Sequence, residues 1–260
     1  MDILEYDDEA TQRLLAAYVT PDVVVQRNDF LQSFDLQPGD RVLDVGSGPG
    51  FLATAIAEAV GKSGSVCGVD ISESLLEVAQ SRNENKYRIE FRYGDATQLP
   101  YQDDEFDAVV STQVLEYVPD VDAALAEIYR VVRTGGRVGI LDTDWDSIVW
   151  HSSDRRCMNR ILTAWEEHAV DPFLPRTLTK KLTRAGFQVE VQKIIPLYNT
   201  EYDQNTYSNR IIDLIVPFVV GRGGITQDEA ETWAQELRDF GRNGEYFFSL
   251  NRYYFLATKK

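Results

Sequence analysis

At 260 residues the chain is long enough to bury a substantial core without disulfides or metal. Its 42 acidic residues against 26 basic ones give a formal charge of -16, which repels phosphate backbones and anionic headgroups and argues against nucleic-acid or membrane partners. Two distant cysteines, two histidines, an acidic start "MDILEYDDEA" and no apolar run of roughly 20 residues exclude a disulfide framework, a zinc site of usual spacing, a secretory leader and a membrane span, and predict a cytoplasmic protein.

The chain opens with two predicted helices, "DDEATQRLLAAYV" and "PDVVVQRNDFLQSF", the second started by Pro21 after Thr20. From 41 to 145, short β-branched runs alternate with helical patterns, the mark of βαβ units around a parallel sheet. The strands are "RVLDV", "SVCGVD", "RIEFRYG", "FDAVVS" and "RVGILDTD". Between them, "GFLATAIAEAV" brings Phe51, Leu52, Ala55, Ile56 and Ala59 to one side, "SESLLEVAQSRNEN" over 72–85 opens with a serine cap, and "VDAALAEIYRVV" ends at the glycines of "RTGG". Downstream, "SSDRRCMNRILTAWEEHA" and "PRTLTKKLTRAGF" read as helices, and "QVEVQKIIPLY" and "EYFFSLNRYYFLATKK" as strands. Between these last two strands, an insertion over 199–243 carries two helical patterns separated by "GRGG". The prediction is one α/β domain built on an open sheet of seven strands. Residues 1–40 form an N-terminal helical lid, 41–145 the α/β core, and 199–243 a helical cap.

The most specific signal is "RVLDVGSGPGF", where an apolar strand ends at Asp44 and runs through Gly46, Ser47, Gly48 and Gly50 into a helix. Glycines there allow a sharp turn and close approach of backbone to ligand, and the next helix N-terminus adds partial positive charge, which implies a nucleotide-like cofactor. Compared with the dinucleotide fingerprint GxGxxG, the third glycine comes one residue early and Phe51 stands in its place, which disfavours NAD and FAD.

Taken together, "VLDVGSGPG", "GVDIS", "YGDATQLP", "FDAVVSTQVLEYV" and "RTGGRV" resemble the successive motifs of class I S-adenosylmethionine-dependent methyltransferases, and more narrowly the ubiquinone and menaquinone biosynthesis branch. The resemblance covers about residues 41 to 145 and implies a Rossmann-like seven-stranded sheet, mostly parallel with an antiparallel last strand and helices on both faces, and a cofactor-binding core over 41–145 with S-adenosyl-L-methionine as cofactor. It places the ribose diol on Asp70, a carboxylate at a strand's carboxyl edge. The adenine amino group falls to Asp95, the ring to the Ala96 amide, and the adenine face to Ile71. Thr112 and Gln113, after the fourth strand, border the methionine part. The quinone-type enzymes often carry histidines in that loop, where this chain has "QVLEYVPD" with Glu116 and Tyr117. In the second helix, "QRND" resembles a Gln-Arg pair of related enzymes, in which Arg27 meets the cofactor carboxylate bidentately; a solvated helix charge is the plainer alternative.

A sulfonium methyl is already activated, so orientation supplies most of the acceleration and a base is needed only for a protonated acceptor. Within "DTDWDSIVWHSS", His151 is the first base candidate and Asp144 the second, against the alternative that His151 is a structural hydrogen-bonder. Asp142, Asp144 and Asp146 alternate along a strand and its exit, and no metal is predicted. Aromatics such as Tyr6, Tyr18, Trp145, Trp150, Tyr202 and Tyr246 either line a pocket for a ring-bearing acceptor or a cationic amine, or fill core. Tyr18, Trp145 and Asn209 are the substrate-binding candidates, since their segments are expected to reach the sheet's carboxyl edge. The predicted activity is methyl transfer to N, O or C of a small-molecule acceptor; the alternative is an S-adenosylmethionine-binding protein with regulatory or non-methyl chemistry.

Overall fold

The computed structural model describes residues 8–83 and 86–260, so Tyr6 and the predicted helix end at Glu84 and Asn85 lie outside the described residues. In chain order the elements are α1 (Asp8–Tyr18), α2 (Pro21–Phe34), β1 (Arg41–Val45), α3 (Phe51–Val60), β2 (Ser65–Asp70), α4 (Glu73–Asn83), β3 (Ile89–Tyr93), β4 (Phe106–Thr112), α5 (Val121–Val131) and β5 (Val132–Thr143). There follow β6 (Val149–Trp150), α6 (Arg155–Glu166), α7 (Pro175–Arg184), β7 (Phe187–Asn199), α8 (Tyr207–Val219), α9 (Gln227–Arg242) and β8 (Phe248–Lys259). They divide into two compact units. A sheet unit comprises Arg27–Thr143, Phe173–Ile195 and Tyr253–Lys260; a helical unit comprises the chain up to Gln26, Asp144–Pro172 and Pro196–Arg252.

In the sheet unit the strands follow the order β3-β2-β1-β4-β5-β8, with β7 also pairing with β8. The ladders among β1 to β5 are all parallel. A parallel sheet is covered on both faces, so alternate residues of one strand enter different cores. On β1, Leu43 and Val45 pack with Val109, Leu125, Ile128 and Leu178, while Val42 packs with Phe30, Phe34, Ala53, Ile56 and Val110. Each such side chain contributes ~1.5–3 kcal/mol on full burial, against ~0–1 kcal/mol for a surface ion pair, so the two apolar layers decide the fold. The glycines predicted to stop the third helix lie inside β5, whose pairing with β4 skips from Val132 to Arg137.

In the helical unit, α8 packs against α1, α6 and α9. The α8 N-terminus is closed by the Asp22 carboxylate, which accepts the Tyr207 N–H at 3.0 and 3.2 Å. Helix α6 starts at Arg155, later than the predicted 152, because the Asp154 side chain accepts the N–H groups of Arg156 and Cys157 and fixes the cap there. Strand β6 is an eighth strand beyond the seven predicted: Trp150 pairs with Phe248 and Val149 with Ser249, antiparallel. Two residues are too few to show a period in the sequence.

Candidate functional site

The loop after β1 is tied to the end of β2, with the N–H groups of Gly46 and Ser47 both donating to the Val69 carbonyl at 2.8 and 3.0 Å. Gly46, Gly48 and Gly50 have φ of 72°, 49° and 77°, a left-handed region that only glycine enters without strain. At Gly46 a side chain would strike Val114, whereas a Cβ built on Gly48 meets nothing within 4 Å, so this point of the loop borders open space. The Gly48 N–H donates to Asp70 Oδ2 at 2.7 Å and the Ser72 N–H to Asp70 Oδ1 at 2.9 Å. A carboxylate offers about four lone-pair sites, and with the N–H groups of Gly48, Ser72 and Ile71 on three of them, one remains for a further donor. Burial raises the Asp70 pKa above the ordinary carboxylate value, while the N–H groups of Ser72, Gly48 and Ile71 pull it back.

Asp44, at the end of β1, is buried and its pKa is pushed up to about 7, first by burial and then by the Asp70 charge; the Ala53 N–H and the Arg27 charge oppose this. Three buried polar atoms here, Asp44 Oδ2, Ser47 Oγ and Ser111 Oγ, have no partner among the described residues. Ser111 stands beside Val45 in the β1–β4 ladder. Such atoms call for a ligand or water. Arg27 lies with its guanidinium 5.1 Å from the Phe51 ring centre, and Arg82 is 3.7 Å from the same ring.

On the neighbouring strand exit, Asp95 Oδ1 accepts the Thr97 N–H and hydroxyl at 2.7 Å each, Asp95 itself being exposed and Ala96 buried. Ile71 is 63 % exposed, as is Tyr93 at 61 %, which pairs with Asp70 in register. After β4, Gln113 has φ 59°, rare for a residue with a Cβ, and is held by its N–H and Nε2 donating to the Leu141 carbonyl at 2.7 and 3.2 Å and by Oε1 accepting the Thr143 hydroxyl at 2.6 Å. Half-buried Thr112 precedes it. Buried Glu116 accepts the Thr143 N–H at 2.7 Å and Asp142 the Val114 N–H at 3.1 Å, so the whole exit loop is fastened to β5.

Reading of the sequence missed Gly68. A Cβ there would lie 2.6 Å from Phe91 and 2.9 Å from the Ser47 side chain, so its lack of side chain lets the loop settle on β2. A glycine inside the strand pattern "SVCGVD" is the signal that could have found it. Glu116 was legible only as an acid in an otherwise apolar "VLEYV".

The remaining predicted residues belong to the helical unit. Trp145 is buried, with its ring edge-on to His168 at 4.4 Å and Trp165 at 5.9 Å. Burial lowers the His168 pKa to about 4, so that this histidine, not singled out in the sequence, is neutral. Asp144 is buried, its N–H donating to the Asn251 carbonyl at 3.3 Å and its own carbonyl accepting the Ser147 hydroxyl at 2.5 Å. His151 is exposed with its ring 4.6 Å from Phe240. Half-buried Tyr18 ends α1. Buried Asn209 accepts from the Tyr202 hydroxyl at 3.0 Å and donates to the Gln204 carbonyl at 3.2 Å. A cavity of about 560 Å³ in this unit is lined by Asp213, Gln227, Glu231 and Arg238 and by none of the predicted site residues. No group of three His, Cys, Asp or Glu among the described residues is disposed to hold a metal, and no described helix is long and apolar enough to cross a membrane.

A family model described as a methyltransferase domain matches residues 36–213. The chain is 35 % identical over 172 residues to an uncharacterized 37.1 kDa protein in a transposon of Streptomyces fradiae, a match covering 64 % of this chain and 48 % of that one. It is 42 % identical over 120 residues to the demethylmenaquinone methyltransferase of Lactobacillus johnsonii, covering 45 % of this chain and 49 % of the relative. The matched stretch thus spans about half the length of these curated relatives. Among solved structures, a Haemonchus contortus phosphoethanolamine N-methyltransferase 2, in complex with S-adenosyl-L-methionine, superposes with a TM-score of 0.63 at 21 % identity, covering 98 % of this chain and 57 % of that one. At that identity the likeness is one of fold.

Proposed function

Since the chain belongs to the methyltransferase-domain family, we propose that it is an S-adenosylmethionine-dependent methyltransferase acting on N, O or C of a small-molecule acceptor. The observation that carries this is the Gly48–Asp70 pair: a carboxylate braced by the loop's own N–H, beside a glycine whose missing side chain leaves open space. When bound, the cofactor supplies an activated methyl on sulfonium sulfur. The protein's residues bind, orient and exclude water around it.

In this reading Asp70 takes the ribose diol at its remaining lone-pair position, and exposed Ile71 covers the adenine face. Asp95 and Ala96 receive the adenine edge. Gly46, Ser47, Gly48 and Gly50 give backbone approach, with Asp44, Thr112 and Gln113 at the methionine end and Arg27 on its carboxylate. The orphaned Asp44 Oδ2, Ser47 Oγ and Ser111 Oγ fit a ligand with amine and hydroxyl groups.

Residues 41–145 form the cofactor-binding stretch, and segments 1–40 and 199–243 handle the acceptor, with Tyr18, Trp145 and Asn209 as contacts and His151, then Asp144, as bases where a proton must leave. A ring-bearing acceptor or a cationic amine suits the aromatics of the helical unit. The charge of -16 argues against nucleic acid, and unpaired Cys67 and Cys157 suit the cytoplasm. Tritiated-methyl incorporation across a panel of phenols, amines and quinols tests the reading. Incorporation into at least one class is expected; tight cofactor binding with no incorporation anywhere would favour regulatory or non-methyl chemistry instead.

A further inference from the structure

Only two lysine or arginine side chains are buried among the described residues, and they are satisfied very differently. Lys259, 9 % exposed, donates to Asp104 Oδ1 at 2.7 Å and to the carbonyls of Tyr129 and Val132 at 2.8 Å each. Its three protons meet three acceptors, one of them charged. Arg252, on β8 in the helical unit, is 4 % exposed. Its guanidinium has five N–H donors, yet Nη1 donates to Gln26 Oε1, Nε is buried with no acceptor, and no described carboxylate stands at salt-bridge distance. Beneath it lies the Tyr207 ring, 5.0 Å from the guanidinium carbon.

A buried charge without a counter-charge is destabilising, and none of the carboxylates of this acidic chain is placed to pair with it among the described residues. On α2, the helix that supplies Gln26, the Asp22 carboxylate accepts the Tyr207 N–H instead. Around the same helix start the hydroxyls of Tyr246 and Ser208 bond each other at 2.9 Å, and Tyr202 bonds Asn209, so these polar groups are occupied. The guanidinium alone is held in reserve. A planar fork resting on an aromatic face matches a carboxylate or phosphate bidentately and stacks on an adjoining ring.

We infer that Arg252 is the anion-binding residue of the helical unit and that the methyl acceptor carries a carboxylate or phosphate group that it neutralises. The assignment to the acceptor rests on the proposed methyltransferase function; the anion site itself does not.

The test uses the full chain with benzoate, its neutral isostere benzamide, and inorganic phosphate, at constant ionic strength, read by calorimetry and by Tm. Benzoate or phosphate binds the wild-type protein and raises its Tm, and benzamide does neither. Arg252→Met weakens the anion at least about tenfold, the scale of one charge-assisted pair. The same variant, free of anion, melts at or above the wild type, because an uncompensated charge has left the interior. Arg252→Lys keeps the charge without the fork and binds between the two, which preserves the test if the methionine variant misfolds. Binding of S-adenosylhomocysteine stays unchanged in both. A wild-type protein that takes neither benzoate nor phosphate, or an Arg252→Met protein that melts well below the wild type while binding the anion equally, overturns the inference. So does a tenfold loss of S-adenosylhomocysteine affinity, which would give the guanidinium to the cofactor. Arg252-dependent anion binding without methyl transfer to any acceptor would sink the proposed function and leave the site standing. Transfer to acceptors whose KM ignores Arg252→Met would do the reverse.

Discussion

The sheet unit and the helical unit spend their polar groups in different ways. At the β1 and β2 exits of the sheet unit, a short glycine loop and one carboxylate bind each other through backbone N–H groups, Asp70 reaching Gly48 and Ser72. In the helical unit the bonds run from side chains to distant parts of the chain: Asp22 to the Tyr207 N–H of α8, Arg252 to Gln26, Trp150 Nε1 to the Tyr246 hydroxyl at 3.2 Å. The first arrangement leaves a backbone-built cradle, which the proposed function gives to the constant ligand, the cofactor. The second is built from side chains, and the proposed function gives it to the acceptor.

The largest expected effect follows from removing the cradle's open space. Gly48→Val places a branched side chain where nothing now lies within 4 Å and forces it to φ 49°. Calorimetry should show no measurable S-adenosylhomocysteine binding, while the far-ultraviolet circular dichroism stays that of the folded protein; retained affinity would detach the loop from the ligand.

Asp70→Ala should follow, with an affinity loss of about 1–3 kcal/mol, since the charge-assisted bond to the ribose diol and the brace on Gly48 are lost together. An unchanged Kd would move the ribose elsewhere. In the helical unit, Tyr246→Phe deletes the hydroxyl that bridges Trp150 and Ser208, both buried. Denaturant unfolding should give a loss of about 1–2 kcal/mol with S-adenosylhomocysteine affinity intact; a matching loss of that affinity would erase the distinction between the units.

The smallest effect is a pH trend. Folded Asp44 keeps its proton up to about pH 7, whereas an unfolded one releases it near 3.8. Between those values the folded state binds more protons, so this group lowers stability progressively as pH rises, with the full deficit above pH 7. Asp44→Asn should therefore gain Tm over the wild type between pH 4 and 8, and a constant difference across that range would refute the buried, raised carboxyl.

The same contrast explains what could be read from the amino acids alone. Gly46, Gly48, Gly50 and Asp70 were legible because a turn in the left-handed region and a carboxylate at a strand end are local demands that a few adjacent residues state outright. The alternation of strand and helix over 41–145 was legible for the same reason. Trp145, by contrast, lies edge-on to His168 and Trp165, and nothing in "DTDWDS" says so. Asn209 spends its amide on Tyr202 and Gln204. Arg252 passed unnoticed within an alternating strand pattern, because its isolation depends on which residues from Gln26 and α8 surround it. Helices over 199–243 could be foreseen from periodicity; the partners of their polar residues could not.

The most direct measurement is a parallel calorimetric titration of the purified chain with S-adenosylhomocysteine and with NAD. S-adenosylhomocysteine should bind at one site per chain, weakened in Asp70→Ala, and NAD should give no heat of binding. Saturable NAD binding with none for S-adenosylhomocysteine would contradict the account.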